Sequence, residues 1–171
     1  MNKQDEYREY IKEHINNVNT VWGTYLKLND VELDIRTVTS YLVKNHDQSK
    51  YSNDEFHAYR NNFFPDNNDK KNKKQFKEAW NHHQKHNKHH WQYWIMWKLE
   101  GSIVLEMDEQ YILEMLCDWT AMSYKFNQKN VTAWYEKEMN NMFLGKQTRK
   151  YIEDNLCLFD DVLYYLSTKC S

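Results

Sequence analysis

The sequence predicts an all-α fold, one helical domain over 1–171 built as a bundle of about seven helices. Three observations carry this. Only 3 Gly and 1 Pro occur in 171 residues, too few punctuators for the many turns of a β-sandwich or barrel. No short Val/Ile-rich run sits between glycine-bounded loops, which argues against parallel βαβ units. Apolar residues recur at helical spacing along almost the whole chain. A mean hydropathy of −1.02 would by itself suggest disorder. The aromatic fraction of 16 % opposes that, because large rings drive collapse.

The first helix is expected over about 5–28, with Tyr7, Ile11, His14, Val18, Val21 and Tyr25 as its stripe. A second, about 35–46, starts after Asp34 as N-cap, shows Ile35, Val38 and Leu42, and delivers His46 and Asp47 at its end. Ser52-Asn53-Asp54-Glu55 has capping-box form and announces a short helix to about Phe63. Pro65 and the polar tract 66–74 read as a loop. A long fourth helix is expected from about Gln75 to Leu99, stopping before Gly101. Asp108 is placed to cap a fifth, striped by Ile112, Met115, Trp119, Met122 and Phe126. A sixth starts near Val131 and ends at Gly145 as a left-handed C′ residue. The last, about 148–166, carries Ile152, Leu156, Phe159, Leu163 and Leu166.

Charge and cysteine usage exclude several classes. The 23 Lys+Arg and 25 Asp+Glu leave a formal charge of −2, unlike a dedicated nucleic-acid binder. Residues 1–13 are too polar for a signal-peptide core, and no apolar run approaches the ~18 residues of a membrane span. Cys117, Cys157 and Cys170 are odd in number and never spaced C-x-x-C, so neither a disulfide framework nor a thiolate zinc site is expected. A cytoplasmic, reduced protein with no membrane partner is the expectation.

The chemistry is concentrated in histidine. Eight are present, five of them in His82-His83-x-x-His86-x-x-His89-His90. On one continuous helix His83, His86, Asn87 and His90 share a side with Phe76, Ala79, Trp80, Trp94 and Trp97, while His82 and His89 turn to its flank. Either a metal site or a solvated, internally bonded histidine helix fits that segment alone. Elsewhere, His14 sits mid-stripe and His46-Asp47 is followed by Ser49-Lys50. Asp118 borders the stripe between Met115 and Met122, where burying a carboxylate is costly unless it is paired or ligates a metal. Four helices each turning a His or Asp inward are harder to dismiss than any one of these residues alone.

This order resembles the HD superfamily of metal-dependent phosphohydrolases: a His on one helix, an adjacent His-Asp on the next, later His, then a final Asp. Here these are His14, His46-Asp47, His83 with His89 or His90, and Asp118. Lys50 matches the His-Asp-x-x-Lys form of the phosphodiesterase branch; the Gly-Tyr-Pro element of one such branch is missing. The chain also looks like an uncharacterised, domain-of-unknown-function group of small phage and bacterial proteins. The strings are Asn45-His46-Asp47-x-Ser49-Lys50, Ala79-Trp80-x-His82-His83, Asn87-x-His89-His90-Trp91 and Asp118-Trp119, and they would cover about 7–155.

The resemblance implies one or two divalent ions (Mn, Fe, Zn, Mg, Co or Ni). His14, His46, Asp47 and Asp118 would hold the first; Asp47 would bridge to a second completed by His83 and His90 or His89. It further implies hydrolysis of a nucleotide or related small phosphate ester by activated water, with Asp47 and Lys50 in the catalytic role and Lys50 offsetting phosphoryl charge. The competing expectations are a non-hydrolytic metal- or nucleotide-binding module, a di-iron oxygenase of the same fold, and a purely structural histidine cluster. Arg60 and His57 read either as phosphate contacts or as surface ion-pair partners. Trp91, Trp94 and Trp119 could stack a base or fill the core, and the lysines at 70, 71, 73, 74 and 77 read as a solvated loop or a polyanion contact.

Overall fold

Helix α1 (Lys3–Leu28) begins where Asn2 accepts a 2.9 Å hydrogen bond from the Asp5 amide, and Asp5 and Glu6 complement its N-terminal dipole. The predicted stripe is buried, from Tyr7 to Tyr25. The computed structural model describes residues 2–67 and 71–169, and α2 to α7 follow as Leu33–Lys44, Phe56–Phe63, Lys73–His86, Glu109–Lys125, Val131–Glu138 and Lys146–Lys169. The all-α expectation with seven helices holds among these residues. No helix among them is long and apolar enough to cross a membrane. Lys70 and Cys170 lie outside the described residues.

Several boundaries differ from expectation. Asp34 lies inside the first turn of α2, whose N-cap, Glu32, makes no side-chain bond. Val38 on that helix is exposed, and Thr39 and Val43 are the buried pair. The capping box does not form: Ser52 Oγ has no partner, and Glu55, at the N-cap of α3, sends its carboxylate elsewhere. Asp108 holds the N-cap position of α5 without a side-chain bond. Phe126, expected in its stripe, is instead the exposed C-cap residue just past the helix. Helix α6 stops at Glu138 instead of running to Gly145. Gly145 precedes α7, and a Cβ there would strike the Glu106 carboxylate. That carboxylate accepts 2.8 Å bonds from the backbone N–H and the hydroxyl of Thr148, so it caps α7.

The largest departure is in the fourth helix. It ends at His86, because Asn87 is extended (φ −115°, ψ 106°) and its side chain bonds back to the His83 carbonyl at 2.8 Å. A 3-10 turn (Trp91–Trp94) follows, then an antiparallel hairpin of β1 (Ile95–Lys98) and β2 (Gly101–Val104). Gly101, at φ 125°, takes a hairpin position closed to L side chains. Ile-Met-Trp in β1 and Ile-Val in β2 favour extended pairing over a helix broken by Gly101. Trp97, expected on the helix's apolar face, is therefore an exposed strand residue.

Two apolar clusters form the interior. The larger joins Val18, Val21 and Trp22 of α1 to Leu113 and Leu116 of α5, Val131 and Tyr135 of α6, and Ile152 and Phe159 of α7. The smaller joins Tyr7 and Ile11 of α1 to Phe56 and Tyr59 of α3 and Ala79 of α4. His14 stands on α1 between Ile11 and Val18, at the seam of the two.

Ile152 is fully buried. Ile152→Ala is expected to lower stability by about 2–5 kcal/mol, since lost transfer energy and the cavity left behind add. Urea unfolding monitored by circular dichroism measures the difference.

Candidate metal centre

Five segments send polar side chains to the seam. His14 comes from α1, and His46 and Asp47 from the turn that follows α2. His83 comes from the last turn of α4, His89 from the segment after it, and Asp118 from the middle of α5. Asp47 has left-handed backbone geometry, φ 55° and ψ 22°. Aspartate is one of the few residues that adopts it readily. His14, His46, Asp47, His83 and His89 are buried.

The two oxygens of Asp47 face two different groups. Oδ2 lies 3.5 Å from His14 Nε2 and 3.5 Å from His46 Nε2. Those two nitrogens are 3.3 Å apart, and Asp118 Oδ1 is 3.2 Å from the first and 3.8 Å from the second. Oδ1 of Asp47 lies 3.2 Å from His83 Nε2 and 3.5 Å from His89 Nε2. Ligand atoms of Asp47, His83, His89 and His90 lie within 4.8 Å of one another, as do those of His14, His46 and Asp118. All seven predicted ligands thus meet in one place.

Two carboxylates that sequence reasoning did not assign to the centre orient the rings. Glu114 Oε1 accepts from His46 Nδ1 at 2.9 Å and faces His89 Nδ1 at 3.2 Å. Glu55 accepts from His83 Nδ1 at 2.8 Å and from His82 Nδ1 at 2.7 Å. Protons held at Nδ1 leave the Nε2 atoms of neutral rings as lone-pair acceptors aimed at Asp47. Lone pairs facing a carboxylate repel unless a cation or proton lies between them. Asp47 Oδ1, His89 Nε2 and His90 Nε2 are buried atoms with no hydrogen-bond partner. An all-nitrogen and oxygen donor set of this kind fits a divalent first-row metal. Glu114 was legible in principle, one turn before Asp118 on the same face; Glu55 was mistaken for a helix cap.

The charge balance agrees with this fit. Asp47, Glu55, Glu114 and Asp118 face one ammonium, Lys50, whose Nζ is 2.5 Å from Asp47 Oδ2. Burial alone would lower the His14 pKa, but hydrogen bonding to Asp118 and Asp47 outweighs it and raises the pKa to about 9. Burial likewise opposes ionisation of Asp47, yet His46, Lys50 and His83 hold its carboxyl well below the usual range. His90 is driven down instead, by burial and then by neighbouring His89 and His83.

A chamber of about 150 Å³ opens on this cluster, bordered by His14, Asp47, Lys50, His83, His90 and Asp118. It adjoins a larger cavity of about 530 Å³, the two sharing Trp80, His90, Asp118 and Met122. Trp91 and Trp119 line the larger cavity, while Trp94 is packed against the main apolar cluster. His86 is exposed and stacked on His82, with ring centroids 3.7 Å apart, so it is outside the cluster. His89, expected on a helix flank, is buried because the helix has already ended. Arg60 pairs with Asp66 at 3.1 Å and His57 is exposed, and neither borders the chamber.

Two outcomes are expected. With its pKa near 9, His14 carries a proton at pH 7.5, so metal uptake must displace it. Calorimetric heats of metal binding should then vary with the ionisation enthalpy of the buffer. Glu114→Gln should weaken metal affinity about 10–100-fold by releasing the His46 and His89 rings, measured by competition with a chelating dye.

The comparisons with known proteins place the chain without assigning it an activity. No curated protein and no solved structure matches it. Residues 3–157 match one family model. On that match the chain belongs to DUF5662, a family of unknown function.

Proposed function

We propose that the protein is a metal-dependent phosphohydrolase that cleaves a small phosphate ester, of the nucleotide class, with water as nucleophile. The observation that carries this reading is the division of Asp47 between two ligand groups, Oδ2 toward His14 and His46 and Oδ1 toward His83 and His89. If two ions bind, His14, His46 and Asp118 would hold one and His83 with His89 or His90 the other, and Asp47 would be shared between them. When bound, such a pair supplies Lewis acidity and lowers the pKa of water toward ~7. The likeness of His14, His46-Asp47 and Asp118 to the HD phosphohydrolase order supports the same reading.

The remaining steps belong to the chain's own residues. Glu55 and Glu114 fix the imidazoles, so little reorganisation accompanies binding. The chamber of about 150 Å³ suits a phosphoryl group, and Lys50 lies at its wall. There its ammonium holds Asp47 and is within reach of a non-bridging phosphoryl oxygen as negative charge develops. Burial would lower the Lys50 pKa, but Asp47 outweighs it and keeps the side chain charged. The adjoining cavity receives the remainder of the ester and shelters the reacting end from bulk water.

Purified protein is expected to hold divalent metal and to turn over members of a phosphate-ester panel. Asp47→Ala should abolish both. Lys50→Met should retain metal and lower kcat about 10²–10³-fold, the scale of one lost charge-stabilising donor. Full metal content with no turnover of any phosphate ester would sink the reading, as would iron-dependent oxygen consumption in its place.

A further inference from the structure

The larger cavity has a composition that selects among phosphate esters. Its wall carries Trp80, Trp91, Trp119 and Trp134, four of the seven tryptophans in the chain. Trp119 and Trp134 are 4.8 Å apart between ring centroids at 54°. Trp80 lies stacked near His83 at 5.8 Å and edge-on to His90 at 5.4 Å, and it borders both chambers. No lysine or arginine lines the cavity among the described residues, and Glu138 adds a carboxylate. Among the described residues at the smaller chamber Lys50 is the one lysine or arginine, and Asp47 already engages it. Gln92, in the 3-10 turn, borders the cavity, and its Oε1 is buried with no hydrogen-bond partner.

These features exclude one ligand chemistry and favour another. A di- or triphosphate chain brings several negative charges that need fixed cationic side chains or further cations, and among the described residues this wall offers no lysine or arginine. Flat apolar rings gain from aromatic walls through stacking and dispersion. A buried amide oxygen left unpaired costs free energy that a ligand N–H would recover. We propose that the cavity is a specificity pocket for a flat aromatic group bearing an N–H donor, joined to a single phosphate. Trp119 and Trp134, packed together, form one aromatic wall for the ring, Gln92 Oε1 accepts from its edge, and polyphosphates are rejected.

The single phosphate, at the end that reaches the metal centre, rests on the phosphohydrolase reading; the aromatic end rests on the cavity alone. The test separates them. The probes are adenosine 5′-methylenephosphonate, which has no scissile ester, its base-free ribose counterpart, and its diphosphorylated derivative with a non-hydrolysable P–CH2–P bridge. Binding to the metal-loaded protein is read by tryptophan fluorescence and calorimetry. The adenosine phosphonate should bind at least tenfold tighter than either of the others. Gln92→Leu should weaken it about tenfold, the scale of one lost hydrogen bond, with metal content and circular dichroism unchanged. Trp134→Leu provides a second variant with the same expected direction.

Equal affinity for the base-free probe, tighter binding of the diphosphorylated one, or indifference to both substitutions would overturn the assignment. If the aromatic phosphonate binds as stated while no ester is hydrolysed, the pocket stands and the catalytic reading falls. If base-free esters are hydrolysed as well as aromatic ones, the reverse holds.

Discussion

The arrangement depends on one buried carboxylate shared between two sets of imidazole nitrogens. Asp47 is 2 % exposed, and an ionised group so placed is tolerable only with compensating charge. Lys50 supplies one positive charge against four carboxylates. The remaining compensation has to come from protons on histidine or from metal, and the unpartnered Asp47 Oδ1, His89 Nε2 and His90 Nε2 mark where it enters. These are the atoms that could hold a metal ion.

The rest of the fold is built to hold that carboxylate in place. Helix α1 bridges both apolar clusters and carries His14 at their junction. Asp47 occupies a left-handed backbone position that few residues would accept. Glu114 restrains two rings from α5 and Glu55 restrains a third from the start of α3. Because these carboxylates hold the Nδ1 side of His46, His83 and His89, those three rings present Nε2 to Asp47. A protein with no use for the centre would carry a large desolvation penalty to maintain it.

The break after α4 decides what lies beyond the centre. Had the helix continued to Leu99, His89 would have turned to its flank and Trp91 and Gln92 would have followed the helical path. Instead Asn87 ends it, His89 turns inward to Asp47, and the 3-10 turn carries Trp91 and Gln92 to the wall of the larger cavity. A single local interruption thus completes the polar cluster and shapes the apolar space beside it.

Helix count, the buried faces of α1 and α7, and the candidates His14, His46, Asp47, His83, His89, His90 and Asp118, which the fold brings together, were readable in the amino-acid order. Those features are local: apolar spacing marks a buried stripe, and a polar residue inside one must be satisfied. Glu55 and Glu114 escaped because their partners are 28 and 68 residues away, and only long-range packing reveals whether a carboxylate caps a helix or binds a ring. The hairpin escaped because aromatic residues at helical spacing also alternate tolerably in a strand, so periodicity could not tell the two apart. The shared carboxylate and the tryptophan-lined cavity exist only once five distant segments converge. One-dimensional order determined which groups were available; three-dimensional packing decided which faced each other, because electrostatic pairing depends on distance in space.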